Sequence, residues 1–168
     1  MLDETARQFA TIIGRKRHRA NVEKQIRDGK KSSGDGVELH VRGAHGEVAV
    51  ALGFGIDVDQ IRWDRPGRDE TGIDLVAPSG VTIQVKTPTS PRYNLIVPGT
   101  DPKKIGHADV AILVDLYKFS RAEIFGWIRR ADFIAWAREM PRMEKPCVGM
   151  FRDRPVPIGE SAPDWVNE

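Results

Sequence analysis

The 168-residue sequence predicts an α/β protein, a mixed β-sheet flanked by helices, from the order of its hydrophobic patterns. Apolar residues recur at helical spacing near the start of the chain and fill a second helical stretch at 43–54. Two β-rich runs flank a Pro-Ser-Gly turn within 71–87, and two strand-length apolar runs follow at 108–116 and 123–128. An amphipathic helix predicted at 131–140 completes this arrangement of helices around a sheet.

Residues 1–36 are predicted to form a helical, basic arm, because apolar side chains recur at spacings of four, three and four over a helix expected from residue 2 to about 27. This apolar stripe consists of Leu2, Ala6, Phe9 and Ile13. Between Arg15 and Lys31, eight Lys or Arg against two acidic residues give a net charge of +6, compared with +2 for the whole chain. Cations of this segment are expected to bind nucleic-acid phosphates; the alternative is a solvated helix face or a frayed arm. The candidates are Arg15, Lys16, Arg17 and Arg19.

A turn-rich stretch at 29–36 is expected to separate this arm from a core at residues 37–140. Apolar and polar residues alternate over 37–41, which predicts a short strand or an extended entry before the helix at 43–54. Glu47 stands almost alone among the apolar residues of that helix. A carboxylate in such a stretch is costly unless it is paired or binds a cation. Glu47 is therefore a candidate site residue; the alternative is an exposed glutamate in the first helical turn.

The β-rich runs at 71–87 predict a hairpin whose loop length decides which side chains face each other. If the Pro-Ser-Gly turn is a three-residue loop, with Gly80 in the left-handed conformation, Asp74 lies directly opposite Gln84. Lys86 follows on the same face, because side chains two apart share a face. A two-residue loop would shift the register by one and turn Asp74 to the other face. We favour the three-residue loop.

A carboxylate, an amide oxygen and an ammonium on one face of a hairpin are the groups that a metal-dependent hydrolytic site needs. Carboxylate and amide oxygens are hard ligands that suit Mg²⁺. A lysine beside them can stabilise charge on a phosphate or orient an attacking water. The alternative is a solvent-facing polar side on which Asp74 and Lys86 form a weak cross-strand pair.

Asp74, nine residues, and then Gln84-x-Lys86 resemble the signature of the PD-(D/E)XK nuclease superfamily, in its variant with Gln before x-Lys. Similar patterns occur in the catalytic domains of Mrr-type restriction endonucleases. The superfamily also commonly has a Glu on the helix before the hairpin, where this chain has Glu47. The resemblance covers about residues 43 to 133 and implies a restriction-endonuclease-like fold.

The resemblance also implies roles for the site residues. The implied ligands of one or two Mg²⁺, for which Mn²⁺ can substitute, are Glu47, Asp74, Gln84 and, through its carbonyl, Val85. The implied catalytic residues are Glu47, Asp74, Gln84 and Lys86. Lys86 would assist the attacking water or stabilise the pentavalent phosphorus transition state. The chain departs from the family by having Ile73 in place of Pro and Gln84 in place of an acid, and the second departure makes Glu47 more important.

The segments around the hairpin supply further candidates. A proline-rich segment after it, with a brief apolar run at 95–97, is expected to be an edge strand or loop that contacts DNA; the alternative is an ordinary surface loop. The candidates for these contacts are Arg92, Tyr93, Lys103 and Lys104. Acidic residues at 55–72 are expected to be solvated turn residues, with Glu70 as a reserve site candidate. Residues 141–168, with five prolines, are predicted to form an irregular tail with Trp165 as an anchor.

Composition limits the function classes. A net charge of +2 excludes a strongly basic, nonspecific DNA coater, so nucleic-acid affinity must come from local patches. The single cysteine, Cys147, excludes an intramolecular disulfide and favours a reducing compartment. Nothing approaches 18 consecutive apolar residues, so we expect a cytoplasmic protein that does not enter a membrane.

The expected function is that of a Mg²⁺-dependent DNA endonuclease, restriction-like or junction-resolving, which hydrolyses phosphodiester bonds with Mg-activated water. DNA is the expected partner, a homodimer is expected for cutting both strands, and no small-molecule cofactor is expected. One rival is a DNA-binding or regulatory protein of the same fold with weak or no catalysis. Another is a small interaction module that uses the apolar stripe of the first helix.

Overall fold

The computed structural model describes residues 2–23, 36–61, 72–88, 95–117, 121–139, 147–150, 156–157 and 163–166. Within these ranges the α-helices are α1 (Glu4–Glu23), α2 (Gly36–Gly53) and α3 (Arg130–Trp136). The strands are β1 (Leu75–Val76), β2 (Thr82–Lys86), β3 (Leu95–Pro98), β4 (Val110–Tyr117), β5 (Arg121–Arg129), β6 (Arg138–Glu139), β7 (Cys147–Met150) and β8 (Val156–Pro157). Short 3-10 helices cover Val58–Gln60, Pro102–Ile105 and Asp164–Val166. None of the described helices is long and apolar enough to cross a membrane.

The strands form two sheets. The larger has the order β1-β2-β4-β5-β8; its β2–β4 pairing is parallel and its other pairings are antiparallel. The smaller has the order β3-β7-β6 and is antiparallel. The predicted α/β class, with a mixed sheet flanked by helices, is therefore confirmed.

The two faces of the larger sheet are covered differently. Ile83 of β2 and Ile112 of β4 are fully buried in a core that includes Val48 and Val50 of α2. The other face contributes to a second apolar cluster with the smaller sheet and α3. This cluster contains Leu95, Val97, Ile105, Ala111, Ile128 and Phe133. Because alternate side chains of a strand point to opposite faces, Gln84, which pairs in register with Ala111, projects from this second face.

Helix α1 packs directly against α2. Where the helices meet, a Cβ at Gly14 would lie 2.6 Å from the backbone nitrogen of Val41 and 2.8 Å from the carbonyl carbon of His40. Ala10 and Ile13 are buried beside this contact. The predicted arm therefore packs against α2, the helix that covers one face of the larger sheet. Its predicted continuation over 24–27 and most of the turn-rich stretch lie outside the described residues.

The short strand or extended entry predicted at residues 37–41 is wrong, because this segment is the first part of α2, which begins at Gly36. Val37, Val41, Ala44 and Val48 are spaced by four, three and four residues, so the helical period extends upstream of the predicted start. Five residues of alternation are too few to exclude a helix.

The last third of the chain contains more regular structure than the sequence predicts. Helix α3 ends at Trp136 and not at residue 140, because Arg138 and Glu139 form β6 and pair with β7. The segment predicted as an irregular tail supplies β7 and β8, which pair with β3 and β5. These partners are distant in sequence, so local periodicity does not reveal them.

Trp165 is the anchor that the sequence predicts. It is 4% exposed, and its ring packs edge-on against Phe54 and Trp127, with ring centroids 5.8 and 5.5 Å away. Ser79, in the hairpin loop, donates from its Oγ to the Trp165 carbonyl at 2.6 Å and from its backbone nitrogen to the Val166 carbonyl at 3.3 Å. The tip of the hairpin is therefore held by residues 163–166.

Candidate functional site

The hairpin has the predicted three-residue loop and register. Leu75 pairs with Ile83 and Val76 with Thr82, which is the register expected for a three-residue loop. The pairing ends at Leu75, and Asp74 N donates to Ile83 O, so Asp74 does not extend the ladder opposite Gln84. Gly80 has a φ of +89°, a left-handed conformation that favours glycine. The loop is closed by bonds from Ala77 N to Val81 O and from Gly80 N to Ala77 O, both 2.9 Å long. The predicted hairpin, its three-residue loop and its register are therefore confirmed, whereas the predicted pairing of Asp74 with Gln84 is not formed.

Asp74 is fixed at the point where β1 leaves β2. Its backbone nitrogen donates to Ile83 O at 2.8 Å, and its Oδ2 accepts from the backbone nitrogen of Val85 at 2.7 Å. The N–H and C=O of one strand residue point to the same neighbour, so the Val85 carbonyl also points toward the Asp74 side of β2. This orientation suits the backbone ligand that the resemblance implies.

Gln84 is buried, with only 7% of its surface exposed. No hydrogen-bond partner for its Oε1 is found among the described residues, although this atom is out of contact with solvent. Gly72, with a φ of +63°, lies against its Nε2: a Cβ at position 72 would be 2.6 Å from that atom. Leaving a buried acceptor unsatisfied costs about 1–3 kcal/mol, so this oxygen is suited to a water or a cation.

Lys86 is partly buried beside Asp74. Burial lowers the pKa of Lys86 below the ordinary 10.5, and the negative charge of Asp74 opposes this shift without cancelling it. The ammonium is therefore less well solvated than an ordinary surface lysine, which strengthens its interaction with any nearby phosphate charge. The structure thus brings Asp74 and Lys86 together, and Gln84 lies two residues before Lys86 on the same face of β2.

We expect Lys86→Met to raise the free energy of unfolding by about 1 kcal/mol at neutral pH, because the variant desolvates no charge. Since the folded-state pKa of Lys86 lies below 10.5, unfolding takes up a proton between that lowered value and 10.5. The free energy of unfolding of the wild type therefore rises with pH between these two values. The stability advantage of Lys86→Met should shrink over the same pH range. Urea titrations in EDTA measure both effects, with exposed Lys103→Met as the control. A Lys86→Met protein less stable than wild type at pH 7 would contradict the expectation.

Glu47 is placed differently from the other predicted site residues. It lies in the second half of α2 and is 6% exposed, so the alternative of an exposed first-turn glutamate is wrong. Both of its carboxylate oxygens accept hydrogen bonds from Arg17 of α1, at 2.6 and 2.7 Å. The expectation that a carboxylate here needs a partner is met by an arginine. The adjacent Gly46 lies against the side chains of Val85 and Thr87, since a Cβ there would overlap Thr87.

Arg17 does not lie on the surface where it was expected to bind DNA. It is 8% exposed and paired with Glu47. The physical reason is the helical period, because Arg17 lies one turn after Ile13 and faces α2 with the rest of the stripe. Continuing the apolar spacing by four residues would have revealed this position from the sequence.

The other nucleic-acid candidates are only partly described. Arg15, Lys16 and Arg19 are exposed on α1, and Lys103 is exposed in the 3-10 helix that follows β3. Arg92, Tyr93, the reserve candidate Glu70 and the side chain of Lys104 lie outside what the structure describes. Two of the acidic residues predicted to be turn residues at 55–72 are described. Asp57 and Asp59 belong to a turn, where Asp57 Oδ1 accepts a hydrogen bond from Asp59 N at 2.9 Å.

No group of three His, Cys, Asp or Glu side chains able to hold a metal is found in the described part of the chain. The donors at the hairpin are instead one carboxylate, one amide oxygen and one backbone carbonyl, from Asp74, Gln84 and Val85. This set fits Mg²⁺, which binds through one or two carboxylates and keeps several waters. Glu47 is not part of this set, because it pairs with Arg17 and lies on α2, which packs on the sheet face opposite Gln84.

Comparison with protein-family models gives no match, and comparison with curated protein sequences gives none.

Proposed function

We propose that this protein is a Mg²⁺-dependent DNA endonuclease with a restriction-endonuclease-like fold. The observation that carries the proposal is the cluster at the fork between β1 and β2: a carboxylate bonded to Val85 N, a buried amide oxygen, and a partly desolvated lysine. A polar side that only faced solvent would not bury Gln84 or lower the pKa of Lys86.

Each residue of the site would have a separate role in phosphodiester hydrolysis. Mg²⁺, or Mn²⁺ in its place, would supply Lewis acidity and activate water when bound by Asp74, Gln84 Oε1 and the Val85 carbonyl. The hydrogen bond from Val85 N holds the Asp74 carboxylate in one orientation before any ligand arrives. The Lys86 ammonium would orient the attacking water or stabilise the charge that develops on the phosphate. The resemblance implies in-line attack that leaves a 5′-phosphate.

In this proposal, exposed cations of the protein would hold the DNA. The exposed cations of α1 and Lys103 would bind backbone phosphates, joined by Lys104, Arg92 and Tyr93. Cutting both strands of a duplex favours a homodimer with two sites, and restriction-like and junction-resolving roles both suit these residues. A cytoplasmic location is part of this proposal.

A second candidate is a DNA-binding protein of this fold with weak or no catalysis. It is favoured by one observation: Glu47 is neutralised by Arg17, and Gln84 carries no charge, so Asp74 is the remaining anion of the implied ligand set. Fewer anions weaken the binding of a divalent cation. Measured Mn²⁺ binding and DNA cleavage separate the two candidates.

The test is incubation of the purified protein with supercoiled, linear, single-stranded and four-way-junction DNA, in Mg²⁺, Mn²⁺ or EDTA. We expect at least one substrate to be cut with metal and none to be cut in EDTA. Salt-sensitive DNA binding without cleavage would favour the second candidate. The absence of both DNA binding and DNA cleavage would contradict both candidate functions.

A further inference from the structure

The side chain of Gln84 ends in a confined space on the second face of the larger sheet. Gln84 is 7% exposed, and its Oε1 has no hydrogen-bond partner within the described part of the chain. Its Nε2 lies so close to Gly72 that a Cβ at position 72 would be 2.6 Å away. The best separation of nonbonded carbon atoms is about 3.5–4.0 Å. A side chain at position 72 would therefore displace the amide.

A second backbone segment reaches the same point. The Cβ at position 72 would also lie 3.3 Å from Gly106 Cα and 3.5 Å from Ile105 O, at the end of the 3-10 helix that follows β3. Arg130, the first residue of α3, donates from its Nε to Gly106 O at 2.6 Å and from its backbone nitrogen to Asp109 O at 2.8 Å. Because these two bonds hold it, this segment is a fixed neighbour of position 72.

The stretch of chain after Gly72 leads directly to Asp74, which is bonded to both neighbours of Gln84 on β2. The backbone nitrogen of Asp74 donates to Ile83 O at 2.8 Å, and its Oδ2 accepts from Val85 N at 2.7 Å. The stretch therefore runs alongside Gln84. It contacts the amide at one end and carries the carboxylate at the other.

Gly72 has two properties that only glycine combines at little cost. Its φ of +63° is left-handed, a conformation that other residues rarely adopt. It also has no Cβ to meet the amide. Gly55 shares the first property, with a φ of +66°, but nothing lies within 4 Å of the Cβ that it would acquire. Comparing the two positions separates backbone strain from the contact with Gln84.

We propose that Gly72 is a positioning residue for Gln84: by having no side chain, it keeps the amide where Oε1 can bind the divalent cation held by Asp74. The inference rests on the proposed function, because it takes the β1–β2 fork to be a metal site. An amide oxygen carries no net charge to attract a cation, so its placement decides whether it contributes. Gly72 touches neither the cation nor DNA and acts through Gln84.

The first experiment is a titration of the full chain with Mn²⁺ alone, followed by the electron paramagnetic resonance signal of free Mn²⁺. We expect Gly72→Ala to weaken binding by about tenfold or more, as the loss of a group that orients a metal ligand does. Gln84→Ala should weaken it by a similar factor. In the Gln84→Ala background, adding Gly72→Ala should change affinity by less than about twofold. Gly55→Ala should bind as the wild type does.

The second experiment is urea unfolding in EDTA. Gly72→Ala should shift the midpoint to lower urea by more than Gly55→Ala does. Gln84→Asn shortens the side chain by one methylene and withdraws the amide from position 72. In that background Gly72→Ala should cost no more than Gly55→Ala, whereas Mn²⁺ affinity should stay low. If Gly72 affected binding only through stability, the affinity would recover as well.

Several results would overturn the inference. One is Gly72→Ala binding Mn²⁺ as tightly as Gly55→Ala. Another is Gln84→Ala binding as tightly as the wild type, because the amide oxygen would then bind only water. A third is failure of Gly72→Ala to fold in the Gln84→Asn background, since the clash would then be with the backbone at 105–106. In each case, loss of Mn²⁺ binding in Asp74→Asn leaves the proposed function standing. Mn²⁺ binding that is indifferent to Asp74→Asn overturns the metal site of the proposed function itself.

Discussion

Replacing Asp74 with asparagine should reduce Mg²⁺-dependent DNA cleavage by about a thousandfold or more. The several kcal/mol that a bound metal supplies to such a transition state correspond to a factor of this size. The substitution is selective, because an asparagine oxygen can still accept the hydrogen bond from Val85 N, which is 2.7 Å long in the wild type. The fold and the affinity for DNA should therefore be retained.

Single-turnover cleavage rates at saturating protein measure this effect, alongside DNA binding in EDTA. Asp59→Asn is the matched control, since Asp59 is an exposed aspartate in the 3-10 helix after α2. It should cut at the wild-type rate. Asp74→Asn cleaving as fast as Asp59→Asn would show that the carboxylate at the β1–β2 fork has no part in catalysis.

Replacing Gly14 with alanine should lower the free energy of unfolding by about 2 kcal/mol. The new Cβ would lie 2.6 Å from Val41 N, and a backbone atom of α2 cannot move aside as a flexible side chain can. Overpacking of this kind costs about 1–3 kcal/mol, partly offset by the better helix propensity of alanine. Forcing the helices apart should also lengthen the bonds between Arg17 and Glu47.

Gly43→Ala is the control for this prediction. Gly43 is also inside a helix, but nothing lies within 4 Å of the Cβ that it would acquire. The substitution should therefore raise stability by up to about 1 kcal/mol through helix propensity alone. Urea unfolding of both variants gives the comparison, and equal stability of the two would contradict the close approach of α1 and α2.

The hairpin could be predicted from sequence because its determinants are local. A Pro-Ser-Gly turn with a left-handed Gly80 selects one loop length, and the loop length selects the register in which Leu75 pairs with Ile83. The face shared by Gln84 and Lys86 then follows from the pleat. These steps need no knowledge of the rest of the chain.

Other features depend on contacts between distant segments. In the sequence, Arg17 looks like one more cation of a basic run. Only the packing of α1 against α2 shows that its side chain pairs with Glu47. Gly72 is unremarkable in sequence, yet its missing side chain leaves room for the amide of Gln84. Strand β6 replaces the end of the helix predicted at 131–140, because its residues pair with β7. Propensity is outweighed by tertiary pairing in this last case.

The bonds from Ser79 to Trp165 and Val166 have a consequence for biosynthesis. The side-chain bond joins residues 86 positions apart, so the loop between β1 and β2 stays without its tertiary partner during most of translation. Contacts of such separation form late and slow the folding of a chain. A nascent polypeptide can close the hairpin early, but we expect its tip to become rigid only after residues 163–166 have left the ribosome.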